Sequence, residues 1–125
     1  MSAPPESICI LDDDISVLRS IEHLLDSDGM KATSFERAED LLAHARNHPV
    51  LLAVVDVWMP ESSGLVVQAQ LSEVSPETKV IVMTARETSA IRAAALEGGA
   101  FAFVLKPFDD EVFLSLVRQA LRSAA

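Results

Sequence analysis

Short apolar runs rich in β-branched and aromatic residues recur along the chain at similar intervals. They are SICIL (7–11), KATSF (31–35), LLAVVDV (51–57), KVIVMT (79–84) and AFAFVL (100–105). Runs that are continuously apolar, rather than alternating with polar residues, are typical of strands covered on both faces. The pattern therefore predicts five strands, most of them buried.

Segments with helical periodicity lie between these runs. Their apolar faces are formed by Ile15, Leu18, Ile21 and Leu25 in the first, and by Phe35, Ala38, Leu41, Leu42 and Ala45 in the second. Apolar residues three and four positions apart form one stripe on a helix. Each helix is therefore expected to pack one face on the sheet.

The last helix is predicted over residues 109–122, with Asp109 as its N-cap. Acidic residues follow at its start and arginines lie near its end, which suits the helix dipole. Its apolar stripe is predicted to comprise Val112, Leu116, Val117, Ala120 and Leu121. Gly98 and Gly99 are expected to close the preceding helix.

This βα alternation predicts a parallel sheet with right-handed crossovers and helices on both faces. The chain has 125 residues, half of them hydrophobic. That length fits one domain. We therefore expect a single domain over residues 1–125, with its core at about 7–122.

The net charge of the chain argues against some classes of binding partner. Nineteen acidic and ten basic residues give a net charge of −9. Such a charge opposes binding to nucleic acid or to an anionic membrane. No signal peptide or membrane-spanning stretch is evident, so we expect a cytoplasmic protein. Cys9, the only cysteine, is expected to pack in the core.

Several chemically active residues fall where predicted strands end. Asp12 and Asp13 follow the first strand, Asp56 lies near the end of the third, Thr84 ends the fourth and Lys106 follows the fifth. In open parallel sheets, ligands bind beyond the carboxyl ends of the strands. These side chains are therefore expected to converge at one edge.

Carboxylates crowded at one edge need a positive partner, because two of them about 4 Å apart repel by roughly 1 kcal/mol in water and several-fold more when partly buried. An oxygen-only donor set favours Mg²⁺, or Mn²⁺ in its place. A carboxylate, a hard cation, a lysine and a hydroxyl suit phosphoryl transfer, with Asp56 as the nucleophile. Asp14 is instead expected to cap the first helix.

At this point the chain resembles the receiver domain of two-component response regulators. The resemblance lies in LDDD (11–14), VVDVWMPESSG (54–64), MTA (83–85) and FVLKPF (103–108), which follow the family's order and spacing. It implies a flavodoxin-like (βα)5 fold, with five parallel strands in the order 2-1-3-4-5. It also implies a switch that is not an enzyme in the ordinary sense.

The resemblance further implies a role for each matching residue. Asp56 would accept a phosphoryl group from the phosphohistidine of a sensor histidine kinase, or from a small phosphodonor. Asp13, Asp56 and the backbone carbonyl of Trp58 would bind Mg²⁺, and Asp12 would act mainly through a metal-bound water. The phosphoryl oxygens would be bound by Lys106, which precedes a cis proline, and by Thr84, and Phe103 would follow as a rotamer switch.

Two side chains depart from the usual family pattern. Trp58 stands two residues after Asp56, where a smaller or more polar residue is common, and Arg86 stands two residues after Thr84. Trp58 is expected to shield the acyl phosphate from water and lengthen its lifetime. Arg86 could reach the phosphoryl group or pair with an acidic neighbour such as Glu87, and Trp58 and Arg86 together would set the rate of hydrolysis.

Two other classes of function fit parts of the sequence. Asp12-x-Asp14 after the first strand resembles the nucleophile and acid of haloacid-dehalogenase-type phosphatases, which predicts turnover of external phosphate esters. A receiver-like adaptor would bind partners without phosphorylation. His23, His44 and His48 lack metal-ligand spacing and are expected to be solvated.

The local motifs are most similar to receivers of regulators with a helix-turn-helix output domain. No such segment follows Ala125, so the protein either acts alone through contacts or is the receiver of a longer transcription regulator. Homodimerisation through the face formed by helix 4, strand 5 and helix 5 is a further hypothesis.

Overall fold

The computed structural model of the protein describes residues 7–60, 63–86 and 88–124. Its strands are β1 (Ile8–Leu11), β2 (Thr33–Phe35), β3 (Leu52–Asp56), β4 (Lys79–Thr84) and β5 (Ala102–Leu105). Its helices are α1 (Ile15–Ser27), α2 (Ala38–Asn47), α3 (Gly64–Val74), α4 (Ser89–Glu97) and α5 (Asp110–Ala124). All five predicted strands are present, each within its predicted run. No helix in these ranges is both long and apolar enough to cross a membrane.

The five strands form one parallel sheet in the order β2-β1-β3-β4-β5. This confirms the doubly wound fold expected from the alternation of strands and helices. Every residue of β1 and β3 is buried. Their continuous apolar sequences follow from this position, because helices cover both faces of a central parallel strand.

Two apolar cores lie on opposite faces of the sheet. One contains Ile8 and Ile10 with the buried residues of α1 and α5. The other contains Cys9 and Leu11 with those of α2, α3 and α4. Burial raises the pKa of the Cys9 thiol to about 12, so this cysteine is an unreactive core residue, as predicted.

Two predicted core positions were wrong. The side chains of Ile15 and Val112 are 47% and 56% exposed. In α5 the predicted positions Val117 and Ala120 are buried, and Phe113 and Leu114 complete the buried face. Asp109 caps this helix as predicted, accepting a hydrogen bond from the Val112 N–H at 3.0 Å. Val112 is the third residue of α5 and faces solvent, whereas Phe113 next to it is fully buried.

The start of α3 is fixed against the end of β3 by a glycine. The Gly64 N–H donates to the Val57 carbonyl at 3.0 Å. A Cβ atom at Gly64 would lie 2.3 Å from the backbone oxygen of Asp56. No other residue type fits this approach without a backbone shift, so Gly64 sets the position of α3 relative to the carboxyl edge of the sheet.

Candidate metal and phosphoryl site

The carboxyl edge of the sheet brings three aspartates together. Asp12 and Asp13 follow β1 and Asp56 ends β3, and one carboxylate oxygen of each lies within 4.8 Å of the others. Asp12 and Asp56 are 1% and 3% exposed, whereas Asp13 is exposed. The cluster is therefore buried on two sides and open to solvent at Asp13.

Lys106 follows the edge strand β5 and reaches this cluster along the carboxyl edge of the sheet. Its Nζ donates to Asp12 Oδ2 at 2.6 Å and lies 2.9 Å from Asp56 Oδ1. Its backbone N–H donates to the Thr84 carbonyl at 2.8 Å, which fixes the residue to the end of β4. The predicted cis peptide between Lys106 and Pro107 is present.

The pKa directions show that one ammonium does not fully compensate the carboxylates. Burial raises the pKa of Asp56, Lys106 lowers it, and repulsion from Asp12 and Asp13 raises it again, so that it lies above its usual value. Burial lowers the pKa of Lys106, but its bonds to Asp12 and Asp56 together raise it overall. Positive charge added beside Asp56 would lower its pKa toward the usual value.

This donor set fits a hard divalent cation. It consists of carboxylate oxygens, and the exposed Asp13 leaves a path for a hydrated ion to enter. Mg²⁺ favours oxygen ligands and keeps several waters, so a few carboxylates suffice to hold it. The arrangement supports binding of Mg²⁺ beside Asp56 and Lys106, within reach of a phosphoryl group.

The hydroxyl of Thr84 has its partners on the main chain of Arg86. Its Oγ1 donates to the Arg86 carbonyl at 2.8 Å and accepts from the Arg86 N–H at 3.1 Å. Thr84 is fully buried at the end of β4, the strand that pairs with β3. The structure thus places Thr84 at the predicted edge, with its hydroxyl held by the following residues.

An aromatic ring and a guanidinium meet at the rim. Arg86 lies over the Trp58 ring, 5.3 Å from its centroid, and Trp58 is 47% exposed. Such a contact is a cation–π interaction. Glu87, the other suggested partner of Arg86, lies outside the described residues. The contact brings the two predicted rate-tuning residues together.

Phe103 lies away from this rim, on the α4 side of β5. It is half-buried, and the Arg92 guanidinium lies 5.7 Å from its ring centroid. Its role as a rotamer switch stays a prediction, as does metal binding by the Trp58 carbonyl.

Asp14 does not join the site. Its Oδ1 accepts from the N–H and the hydroxyl of Ser16 at 2.9 and 2.6 Å, which confirms it as the N-cap of α1. These bonds hold the pKa of Asp14 below its usual value. It therefore serves the helix end, rather than supplying the proton that the phosphatase hypothesis requires.

Two features of the structure were not predicted from the sequence. His44 is half-buried rather than solvated, with its ring 5.3 Å from that of Phe35 and 4.2 Å from that of His48. Gly64 closes the motif VVDVWMPESSG, but spacing alone did not reveal that its missing side chain lets α3 approach Asp56. Such a steric requirement depends on how α3 packs against β3 in the folded chain.

Comparison with known proteins supports this geometry. A family model described as the response regulator receiver domain matches residues 8–118. Response regulator protein TodT of Pseudomonas putida is 35% identical over 124 residues, which are 99% of this chain and 55% of TodT. DNA-binding transcriptional regulator NtrC of Salmonella typhimurium is 31% identical over 114 residues, covering 91% of this chain and 24% of NtrC. The chain thus spans about half or less of these relatives.

Solved structures give the same picture. The beryllofluoride-activated NtrC4 receiver domain dimer superposes with a TM-score of 0.89 at 26% identity, covering 94% of this chain and 98% of that one. A CheY-like receiver domain protein from Methanospirillum hungatei gives 0.88 at 26% identity, covering 94% of each chain.

The ion pairs of Lys106 with Asp12 and Asp56 should contribute to the stability of the fold. Replacing Lys106 by Met should lower the free energy of unfolding by about 3 kcal/mol at pH 7.5, because Asp12 and Asp56 lose their buried counter-charge. The loss should be smaller at pH 5. An aspartate with a raised pKa destabilises the fold increasingly as pH rises through that pKa, and its protonation relieves the repulsion. Urea unfolding at both pH values measures this.

Lys31→Met is the matched control, because Lys31 forms an exposed ion pair with Asp26. It should cost less than about 1 kcal/mol at either pH. A Lys106 variant as mild as this control, or one whose cost is independent of pH, would contradict the account.

Proposed function

The chain belongs to the response regulator receiver domain family, whose general function is a phosphorylation switch, and we propose that Asp56 is its phosphoryl acceptor. One observation carries the proposal: the Asp56 carboxylate lies at the buried edge of the sheet, 2.9 Å from Lys106 Nζ and beside two further carboxylates. Families of this kind are phosphoacceptors rather than conventional enzymes. We further propose that residues 1–125 act as one receiver unit.

The transfer follows from the positions of these groups. An Asp56 carboxylate oxygen attacks the phosphorus of a phosphohistidine or of a small phosphodonor, and the P–N or P–O bond of the donor breaks with its electron pair leaving on the donor. Asp12, Asp13, Asp56 and the Trp58 carbonyl would hold Mg²⁺ (or Mn²⁺), Asp12 mainly through water, and the ion would offset the charge of the phosphoryl oxygens. Lys106 would move from its carboxylate partners to one of these oxygens.

The acyl phosphate would then act on Thr84. Among the described residues its hydroxyl is held by hydrogen bonds with Arg86, and a charged phosphoryl oxygen is a stronger acceptor than a carbonyl. Thr84 would therefore turn toward Asp56 and draw the segment after β4 with it. Phe103 would follow, and the surface formed by α4, β5 and α5 would change.

Self-dephosphorylation would end the signal. Trp58 and Arg86 contact each other at the rim of the site, where they would screen one side of the phosphorus from water. We propose that this pair slows hydrolysis.

The phosphodonor would be a histidine kinase, since receiver domains interact with such kinases. A groove of about 480 Å³ runs between α1 and the segment after β5, and reaches Lys106. Its apolar lining includes Val17, Ile21 and Phe108. An amphipathic kinase helix carrying the phosphohistidine would fit beside the site here.

The output would be a change of partner at the surface formed by α4, β5 and α5. Leu96, Leu105 and Val112 are exposed on α4, β5 and α5. We propose that phosphorylation promotes homodimerisation through this face and thereby controls a transcription-regulator output domain outside this chain. The relatives NtrC and TodT are longer than this chain, and its charge of −9 makes direct DNA binding by the receiver unfavourable.

Phosphorylation of Asp56 is tested by intact mass. Incubation with acetyl phosphate and Mg²⁺ should add one phosphoryl group to the wild type and none to Asp56→Asn, and omission of Mg²⁺ should abolish the adduct. Asp109→Asn, which changes a helix-capping aspartate, is the control and should still be phosphorylated. Absence of any adduct would favour the adaptor, and sustained turnover of a phosphate ester that is lost in Asp12→Asn would favour the phosphatase.

Shielding by Trp58 is tested by the decay of the acyl phosphate. Trp58→Asn should hydrolyse roughly fivefold faster, which corresponds to about 1 kcal/mol of barrier. Trp58→Phe keeps an aromatic ring and should stay close to the wild type. An unchanged rate in Trp58→Asn would show that shielding is not the cause.

The kinase groove is tested by phosphotransfer from any phosphorylated histidine kinase that labels the protein. Ser20 lines the groove, and Ser20→Trp should lower kcat/KM for transfer roughly tenfold, or about 1.4 kcal/mol. Labelling by acetyl phosphate should be unchanged. Ser72→Trp on exposed α3 is the control, and equal effects of both variants would argue against the groove.

The dimer face is tested by sedimentation. The phosphorylated protein should dimerise, and Val112→Asp should weaken that dimer by roughly tenfold or more, since it buries a charge at the interface. Val66→Asp makes the same change at an exposed position of α3 and should have no effect. A phosphorylated form that stays monomeric at high concentration would remove the proposal.

A further inference from the structure

Gln68 is a buried glutamine that joins two helices. It lies on α3, is 3% exposed, and its Nε2 donates to the backbone carbonyl of Ala95 on α4 at 2.9 Å. The same carbonyl accepts from the Ala100 N–H at 3.0 Å. Burying a side-chain amide without a hydrogen bond costs free energy. The hydrogen bond to the Ala95 carbonyl therefore fixes the orientation of the Gln68 side chain.

The end of α4 is shaped to admit this amide. A Cβ atom at Gly98 would lie 3.0 Å from Gln68 Nε2 and 3.1 Å from its Cδ. The φ of Gly98 is −75°, which any residue can adopt. A Cβ atom here would press on the Gln68 amide, which would have to shift by a few tenths of an ångström, so the glycine provides space rather than a special backbone conformation.

The two ends of α4 are anchored very differently. Among its side chains, Ala95 alone is buried, and Ile91 is half-buried. The N-terminal half is otherwise exposed, and it begins at the Thr88 N-cap, just after the segment that holds the Thr84 hydroxyl. Few apolar contacts thus oppose movement of that half.

The helix that carries Gln68 is itself fixed at the phosphoryl site. Gly64 places the start of α3 against the backbone of Asp56. Gln68, Val67 and Leu71 are buried along the same helix. The amide of Gln68 is therefore presented by a rigid element.

We infer that Gln68 is a positioning residue that pins the C-terminal end of α4 to α3, so that movement of the segment after Thr84 tilts the helix about that end. This inference rests on the proposed function only for the source of the movement. The pin itself belongs to the unphosphorylated protein. It converts a local change at Thr84 into a change at the N-terminal half of α4.

The pin is tested first without any phosphodonor, by amide hydrogen exchange measured by NMR. Gln68→Met keeps the length and packing of the side chain but removes the donor. Exchange of the Gly99 and Ala100 amides should become roughly five- to tenfold faster. Gly98→Ala, which crowds the amide without changing Gln68, should act in the same direction. Gln70→Met makes the same change on the exposed side of α3 and should leave exchange unchanged.

The tilt is tested by adding beryllofluoride and Mg²⁺. In the wild type, backbone shift changes in α4 should be confined to residues 88–94, and in Gln68→Met they should extend through 95–100. Unchanged exchange in both Gln68→Met and Gly98→Ala would overturn the pin, as would wild-type shifts that are as large at 95–100 as at 88–94. Faster exchange in the variants with no shift in any protein would support the pin and contradict the proposed function.

Discussion

Two buried carboxylates that share one ammonium are the constraint on which this structure depends. Asp12 and Asp56 lie at the ends of adjacent central strands, where helices exclude water from both faces of the sheet, and Lys106 Nζ contacts both. The burial that stabilises the fold therefore also raises the pKa of Asp56 and leaves the cluster short of positive charge. The carboxylate oxygens that the fold gathers here suit a hard divalent cation.

The backbone beside the cluster is hydrogen-bonded to the end of β4. The Lys106 N–H is bonded to the Thr84 carbonyl, and the Val57 N–H to that of Met83. The end of β4 is thus tied to both neighbours of the site. Thr84 is fully buried and its hydroxyl forms two hydrogen bonds with the main chain of Arg86, for which a stronger acceptor can compete. A small displacement there leads directly to α4, the helix with the fewest buried side chains among those described.

Much of the fold and site could be predicted from the sequence, for physical reasons. Continuous apolar runs report burial on both faces, and residues at strand ends must meet at one edge, so Asp12, Asp13, Asp56 and Lys106 were found from spacing alone. Periodicity was less reliable at helix starts, where Ile15 and Val112 are exposed although the nearby apolar residues Leu18 and Phe113 are buried. Gln68 could not be found, because its importance depends on a carbonyl 27 residues away and on the space left by Gly98.

Chemical trapping of the acyl phosphate tests most directly whether Asp56 is the phosphoryl acceptor. Borohydride reduces an aspartyl phosphate to homoserine, and peptide mass spectrometry then locates the modified residue. After incubation with acetyl phosphate and Mg²⁺, we expect homoserine at position 56 alone. Homoserine at position 12 or 13, or a phosphorylated protein with no homoserine at all, would contradict the assignment of Asp56 as the acceptor.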